Sequence, residues 1–240
     1  MDVAILYSGG KDSTLAIECA LSKGYNIKYL LSVKPTRTDC FLFHYATVEH
    51  TKELAKILGL KHILISCDIA DPVKEAELVK NIVLKEGKID ALNLGGIGLQ
   101  LTQIGSLQKA LLPSGIEVFA SHSGLDHEDL FREMLDKGYE ILISQVASDG
   151  LMKWLGKIIT KENFEDLKKD SINYGFHLGF EGGMADSFVL SCPMYNNKKI
   201  VIDKSEKVIE DAYCGHIIVK KLHIVEQQPI ISHTYNIQFS

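Results

Sequence analysis

The string Tyr7-Ser8-Gly9-Gly10-Lys11-Asp12-Ser13-Thr14 constrains this chain more than any other feature. It follows an apolar run, Val3 to Tyr7, that reads as a buried strand. It opens a stretch, Asp12 to Lys23, in which Leu15, Ala16, Cys19 and Ala20 recur at helical spacing before Gly24 supplies a stop. Two adjacent glycines let the backbone turn tightly and approach a ligand closely. The first-turn N–H groups and the hydroxyls of Ser8 and Ser13 then converge on an anion. Lys11 adds a compact positive charge suited to phosphate. Asp12 would repel a bare phosphate. It fits if a Mg²⁺ lies between them, because that ion takes a carboxylate together with phosphate oxygens. The GxxxxGK[ST] spacing of a Walker A loop is absent. The plain alternative is a strand-to-helix turn with Asp12 or Ser13 as N-cap.

The rest of the first half repeats the strand-then-helix pattern. Ile27 to Val33, His62 to Ser66, Ala91 to Leu94 and Ile116 to Ala120 read as strands. Val48 to Leu58 and Pro72 to Lys85 read as helices, the second with proline in its first turn. Alternation at this pitch predicts an α/β chain with a parallel twisted sheet flanked by helices. Ligands of such sheets bind beyond the carboxyl ends of the strands. The loops at 8–13, 34–44, 67–71 and 95–100 are therefore the ones to watch. Ser32, His44, Gly95 and Gly96 are assigned to the same cleft as the glycine loop; for His44 a packed, hydrogen-bonded side chain is an equal alternative.

The second half is less regular. Glu128 to Asp136 and Glu162 to Asn173 read as helices. Glu140 to Val146, Phe188 to Leu190, Lys199 to Asp203 and Ile217 to Val225 read as strands, with an edge strand at Tyr235–Phe239. The expected division is 1–121, a loop-bearing domain, and 122–240, a smaller α+β domain. Glu165, Asp166, Lys168, Lys169 and Asp170 look like a solvated helix face. Trp154 reads as packing. His122, His127 and Asp126 match no standard zinc spacing.

Composition narrows the function classes. In 240 residues, 46% hydrophobic and 24% charged, there is ample material for a core. A net charge of −5 and only two arginines, Arg37 and Arg132, argue against a generic nucleic-acid coat. The five cysteines (Cys19, Cys40, Cys67, Cys192 and Cys214) form no CxxC and read as reduced, mostly buried thiols. No apolar run is long enough to span a membrane, and the N-terminus shows no signal-peptide pattern. A cytoplasmic location is expected.

SGGKDS resembles the PP-loop of the N-type ATP pyrophosphatases. That resemblance implies an adenine nucleotide alpha hydrolase-like, Rossmann-like fold. It implies cleavage of ATP between its α- and β-phosphates, with Ser8, Gly9, Gly10, Lys11, Asp12 and Ser13 at the pyrophosphate and Asp12 at a Mg²⁺. Other segments resemble the diphthine–ammonia ligase family in the same order. They are Leu42-Phe43-His44, Asp90-Ala91-Leu92 with Gly95-Gly96-Ile97, Gly150-Leu151 with Trp154-Leu155-Gly156, and Tyr174-Gly175 with Glu181-Gly182-Gly183, Val189-Leu190 and Pro193. The matches run from residue 3 to about 222. The implied reaction joins ammonium to diphthine on translation elongation factor 2 through an acyl-adenylate, releasing AMP and pyrophosphate. Lys11, Asp12 and Glu181 are the implied catalytic residues, and Glu181, Gly182 and Gly183 face the acceptor.

The chain departs from that pattern at Ser121-His122-Ser123, Leu99 to Gln103, Met184, Ala185 and Asp186-Ser187. These segments belong to the expected acceptor side, whereas the loop at 8–13 is intact. Two alternatives follow: a nucleotide-binding relative with lost ligase activity, and a PP-loop enzyme acting on another acceptor such as tRNA. Thiolation would call on Cys40 and Cys67. A homodimer is left open, and neither nucleic acid nor membrane is expected as a partner.

Overall fold

Val3, Ala4 and Ile5 are wholly buried, so β1 (Asp2–Leu6) is apolar without alternation, as a strand covered on both faces must be. The computed structural model describes residues 1–37, 42–43, 46–96 and 101–227. β1 lies at the centre of a five-stranded parallel sheet with β2 (Asn26–Pro35), β3 (His62–Cys67), β4 (Ala91–Leu94) and β5 (Glu117–Ala120), in the order β3-β2-β1-β4-β5. The chain leaves β1 toward β2 and β3 on one side, then returns to place β4 and β5 on the other. The crevice between β1 and β4 is thus the switch point at which ligands of such sheets sit.

Helices cover both faces. Val3, Ile5 and Leu30 share a core with α1 (Lys11–Ser22) and α2 (Thr51–Leu58) through Leu15, Leu54 and Ile57. Ala4, Leu31 and Leu92 face the opposite core, with Val79 and Val83 of α3 (Pro72–Glu86) and Leu107 and Leu111 of α4 (Leu101–Leu111). The first-half elements read from the sequence appear within a few residues of their expected bounds, except that Val48–His50 is a tighter turn leading into α2. Helix α4 was not expected. Gly105 in its interior and a short buried stripe of Leu107, Ala110 and Leu111 weaken its pattern.

The second half builds a separate, antiparallel sheet. Its elements are α5 (His127–Asp136), β6 (Glu140–Ala147), β7 (Ile158–Ile159), α6 (Phe164–Tyr174), β8 (Ala185–Ser191), β9 (Lys198–Ile209) and β10 (Cys214–Glu226). β6 pairs with β7, β8 and β10, and β9 pairs with β10. The β9–β10 hairpin is longer than expected because residues 203–207 are exposed and charged and carry no apolar alternation. Asp170 corrects the sequence reading. It is buried, accepts the Trp154 indole N–H at 2.8 Å and pairs with Lys153 at 2.6 Å, so it is not part of a solvated face. The expected strand at Tyr235–Phe239 lies outside the described residues.

Helix α1 lies where the two sheets meet. Leu15, Ala16, Ile17, Cys19 and Ala20 belong to one cluster with Phe131 and Met134 of α5, Ile141 and Ile143 of β6, and Phe188 and Val189 of β8. The helix that begins at the glycine loop is therefore held from both sides.

Candidate active site

Gly9 has φ +80°, a conformation that L side chains avoid. A Cβ there would also meet Leu54 at 3.1 Å and Phe188 at 3.2 Å. Gly10 is the N-cap of α1 and brings no side-chain cap of its own. By contrast, Asp71 caps α3 and Asp126 caps α5 through two backbone N–H bonds each. A glycine-entered helix start with no cap from its own N-cap residue suits an incoming anion. The Ser8 and Ser13 hydroxyls lie 3.2 Å apart, and Ser8 Oγ accepts the Gly10 N–H at 3.3 Å. The alternative of an ordinary Asp12 or Ser13 cap is not what forms.

Strand β8 covers this loop. The Val189 N–H donates to the Gly9 carbonyl at 2.9 Å, and the Lys11 N–H donates to Ser187 Oγ at 3.1 Å. From the other side, Gly95 at the end of β4 abuts the loop so closely that a Cβ would lie 2.4 Å from the Ser13 nitrogen. The result is a cavity of about 510 Å³, lined on one side by Ser8, Gly10, Lys11, Asp12, Ser13 and Gly95 and on the other by Gln145, Glu181, Gly182, Gly183 and Asp186. Val33, Leu42, Phe43 and Leu94 supply an apolar wall.

Lys11 ties the two sides together. Its side chain is 4% exposed, and its ammonium pairs with Asp12 Oδ2 at 2.7 Å and donates to the Gly179 carbonyl at 2.8 Å. The rings of Phe131 and Phe180 flank it at 5.7 and 5.6 Å. Burial, the largest influence, pushes the Asp12 carboxyl up, but the Lys11 ammonium together with His122 and His127 more than offsets it, so it sits below the usual carboxylate range. Glu181 begins a one-turn segment, Glu181–Gly183, between α6 and β8. Its side chain is 9% exposed, not a solvated turn, and its Oε1 lies 3.3 Å from His127 Nε2. His177 shapes the same loop by accepting the Gly179 N–H at Nδ1.

The remaining expected residues fall nearby. Ser32 is one layer down, donating to the Tyr7 carbonyl at 2.6 Å and so supporting the loop from beneath. Gly96 accepts the His122 N–H. His44 lies outside the described residues. The atypical segments have partners: His122 Nε2 lies 3.2 Å from the Asp12 carbonyl, and Met184 Sδ accepts the His177 N–H at 3.1 Å. Sequence reasoning missed Gln145, Phe180, Asp186 and Ser187 as lining residues and gave His127 no role. Asp186-Ser187 stood out as a departure, but only the pairing of β8 with the loop gives it a place. Among the described residues no group of three His, Cys, Asp or Glu side chains is arranged to hold a metal. A Mg²⁺ shared between Asp12 and phosphate oxygens needs no such cage, and the glycine-entered helix start beside Asp12 leaves the donor set compatible with it.

The site is therefore a glycine loop and helix start at the switch point of a parallel sheet, closed by a loop from a second sheet. Residues 1–109 match the model of the diphthamide synthase N-terminal domain, and residues 126–225 match that of the diphthamide synthase C-terminal domain. The chain is 28% identical to the diphthine–ammonia ligase of Mus musculus, over 95% of this chain and 94% of that protein. It is 28% identical to that of Homo sapiens, over 88% and 86%. A predicted subunit of tRNA methyltransferase from Methanocaldococcus jannaschii superposes with a TM-score of 0.41 at 18% identity, over 80% of this chain and 98% of that one. The chain belongs to the diphthamide synthase family, and it is an enzyme of the ligase class for which its relatives are named.

Proposed function

We propose that this chain amidates diphthine on translation elongation factor 2, using ATP and ammonium. The observation that carries the reading is the single cavity shared by the Ser8–Ser13 loop and the Glu181–Gly183 segment, joined by the Lys11 ammonium. ATP lies with its β- and γ-phosphates against Ser8, Gly10 and Ser13 and its base against the apolar wall of Val33, Leu42 and Phe43. Asp12 would hold a Mg²⁺, which would supply charge neutralisation at the phosphates. An oxygen of the diphthine carboxylate attacks the α-phosphorus, the bond to the β-phosphate bridging oxygen breaks, and pyrophosphate leaves. Ammonium gives one proton to water, the ammonia so formed attacks the acyl carbon, the bond to the phosphate oxygen breaks as AMP leaves, and the nitrogen gives a second proton to water to yield the amide. Glu181 meets the cationic partner. Catalysis of this kind is mostly positioning and charge neutralisation.

Thiolation finds less support at Cys67, which is buried, donates to the Ile69 carbonyl and is not among the residues lining the cavity; Cys40 lies outside the described residues. The partners of His122 and Met184 favour a working site over a decayed one. The test is ATP binding and AMP release with the acceptor present, for wild type and Asp12→Ala. Binding and AMP release that survive Asp12→Ala unchanged would contradict the loop assignment.

A further inference from the structure

His127 is 8% exposed and is the first residue of α5, fixed there by the Asp126 cap. Its ring fills the space beside Gly179 so completely that a Cβ on that residue would lie 2.2 Å from Nδ1. The His177 ring meets it edge-on at 4.6 Å. Gly179 and His177 thus bound the imidazole on two sides. Its Nε2 has no hydrogen-bond partner among the described residues and lies 3.3 Å from Glu181 Oε1, just short of hydrogen-bond geometry.

A carboxylate as buried as Glu181 is costly unless something stabilises its charge. A lysine or arginine would do so by cancelling that charge. A neutral imidazole does so by donating one hydrogen bond, and the charge remains. Burial and then the Lys11 ammonium hold the His127 imidazole down to about 4, while Asp12 and Asp126 act weakly in the other direction and His177 adds to the lowering. We propose that His127 is a positioning residue for Glu181: it holds the carboxylate in the cavity as an uncharged donor, so that the negative charge is offered to ammonium or to a cationic group of the acceptor. This rests on the reading of Glu181 as the carboxylate that meets the acceptor.

Two measurements separate the pair from the reading. Long-range proton–nitrogen spectra of histidine-labelled protein at neutral pH, with His127 assigned by its loss in His127→Gln, should show a neutral ring protonated at Nε2. An imidazolium, or a ring protonated at Nδ1, overturns the proposal without touching the ligase reading. In turnover, His127→Ala should raise the KM for ammonium or for the diphthine-bearing factor roughly tenfold while the KM for ATP moves by less than about twofold, the scale of one hydrogen bond to a charged group. His127→Gln, whose amide N–H can reach the same oxygen, should restore most of the loss. Equal losses in both variants, or a loss confined to ATP, overturn the proposal. If Glu181→Gln leaves the KM values for ammonium and acceptor unchanged, the reading itself falls.

Discussion

The ammonium of Lys11 sits among Asp12, the Gly179 carbonyl and two aromatic rings, which makes this residue a link between the nucleotide side and the acceptor side of the cavity. Lys11→Met should therefore do two things. It leaves Asp12 unpaired, which should cost about 1–3 kcal/mol in a urea titration, less than for a fully buried pair because Asp12 is a third open to water. It should also weaken ATP and acceptor binding together, read as parallel rises in both KM values. A variant with only ATP affinity reduced would make Lys11 a simple phosphate contact. The sequence made the loop legible down to Ser8 and Ser13, because two glycines and two hydroxyls at a strand-to-helix junction have few other uses. It did not make the partners of Lys11 legible. Gly179 and Phe180 are distant in the chain, and only the fold brings them to the ammonium.

Among the elements, α1 and α5 carry opposite instructions. Helix α5 is capped by the residue that precedes it, Asp126, whereas Gly10 gives α1 no side-chain cap and Ser187 of β8 reaches its first N–H instead. Asp126→Ala should lower stability by about 1 kcal/mol, seen as a reduced Tm, and should raise the KM for the acceptor by loosening His127. An unchanged acceptor KM would separate the cap from the site. Gly95→Ala tests the approach of β4 to α1. A methyl group 2.4 Å from the Ser13 nitrogen must push the loop away, so ATP affinity should fall at least roughly tenfold by calorimetry. The inner parallel strands β1, β2 and β4 were readable because they are buried, continuous apolar runs, and the edge strands β3 and β5 because short apolar runs follow Gly59 and Gly115. Helix α4 and the extension of β9 were not, since a helix with an interior glycine and a strand with a solvated stretch both lose their periodic signal.

At the scale of the whole molecule the two halves share one core, while a second core under α3 and α4 belongs to the first half alone. Residues of β1 and α1 pack in one cluster with α5, β6 and β8, so the fragment 1–121 keeps the core under α3 and α4 but loses the cover of its other face, and it should unfold at a lower temperature and less cooperatively than the whole chain. A sharp calorimetric transition for that fragment would contradict this. Acid should weaken the whole chain. Burial lowers His50, His62, His122, His127 and His177 below the ordinary histidine range. The unfolded chain then binds more protons below about pH 6.5, so stability is complete above that value and falls as pH drops toward 4. Urea midpoints measured across that window should fall with pH, and less steeply in His127→Gln. The central claim is that one cavity serves both ATP and the diphthine carboxylate. The direct measurement is intact-mass spectrometry of elongation factor 2 bearing diphthine after incubation with the protein, ATP and ammonium, with AMP followed in parallel. The account predicts AMP release together with the small mass loss of a carboxylate-to-amide exchange, both abolished by Asp12→Ala. ATP binding with neither AMP nor a change in mass would contradict it.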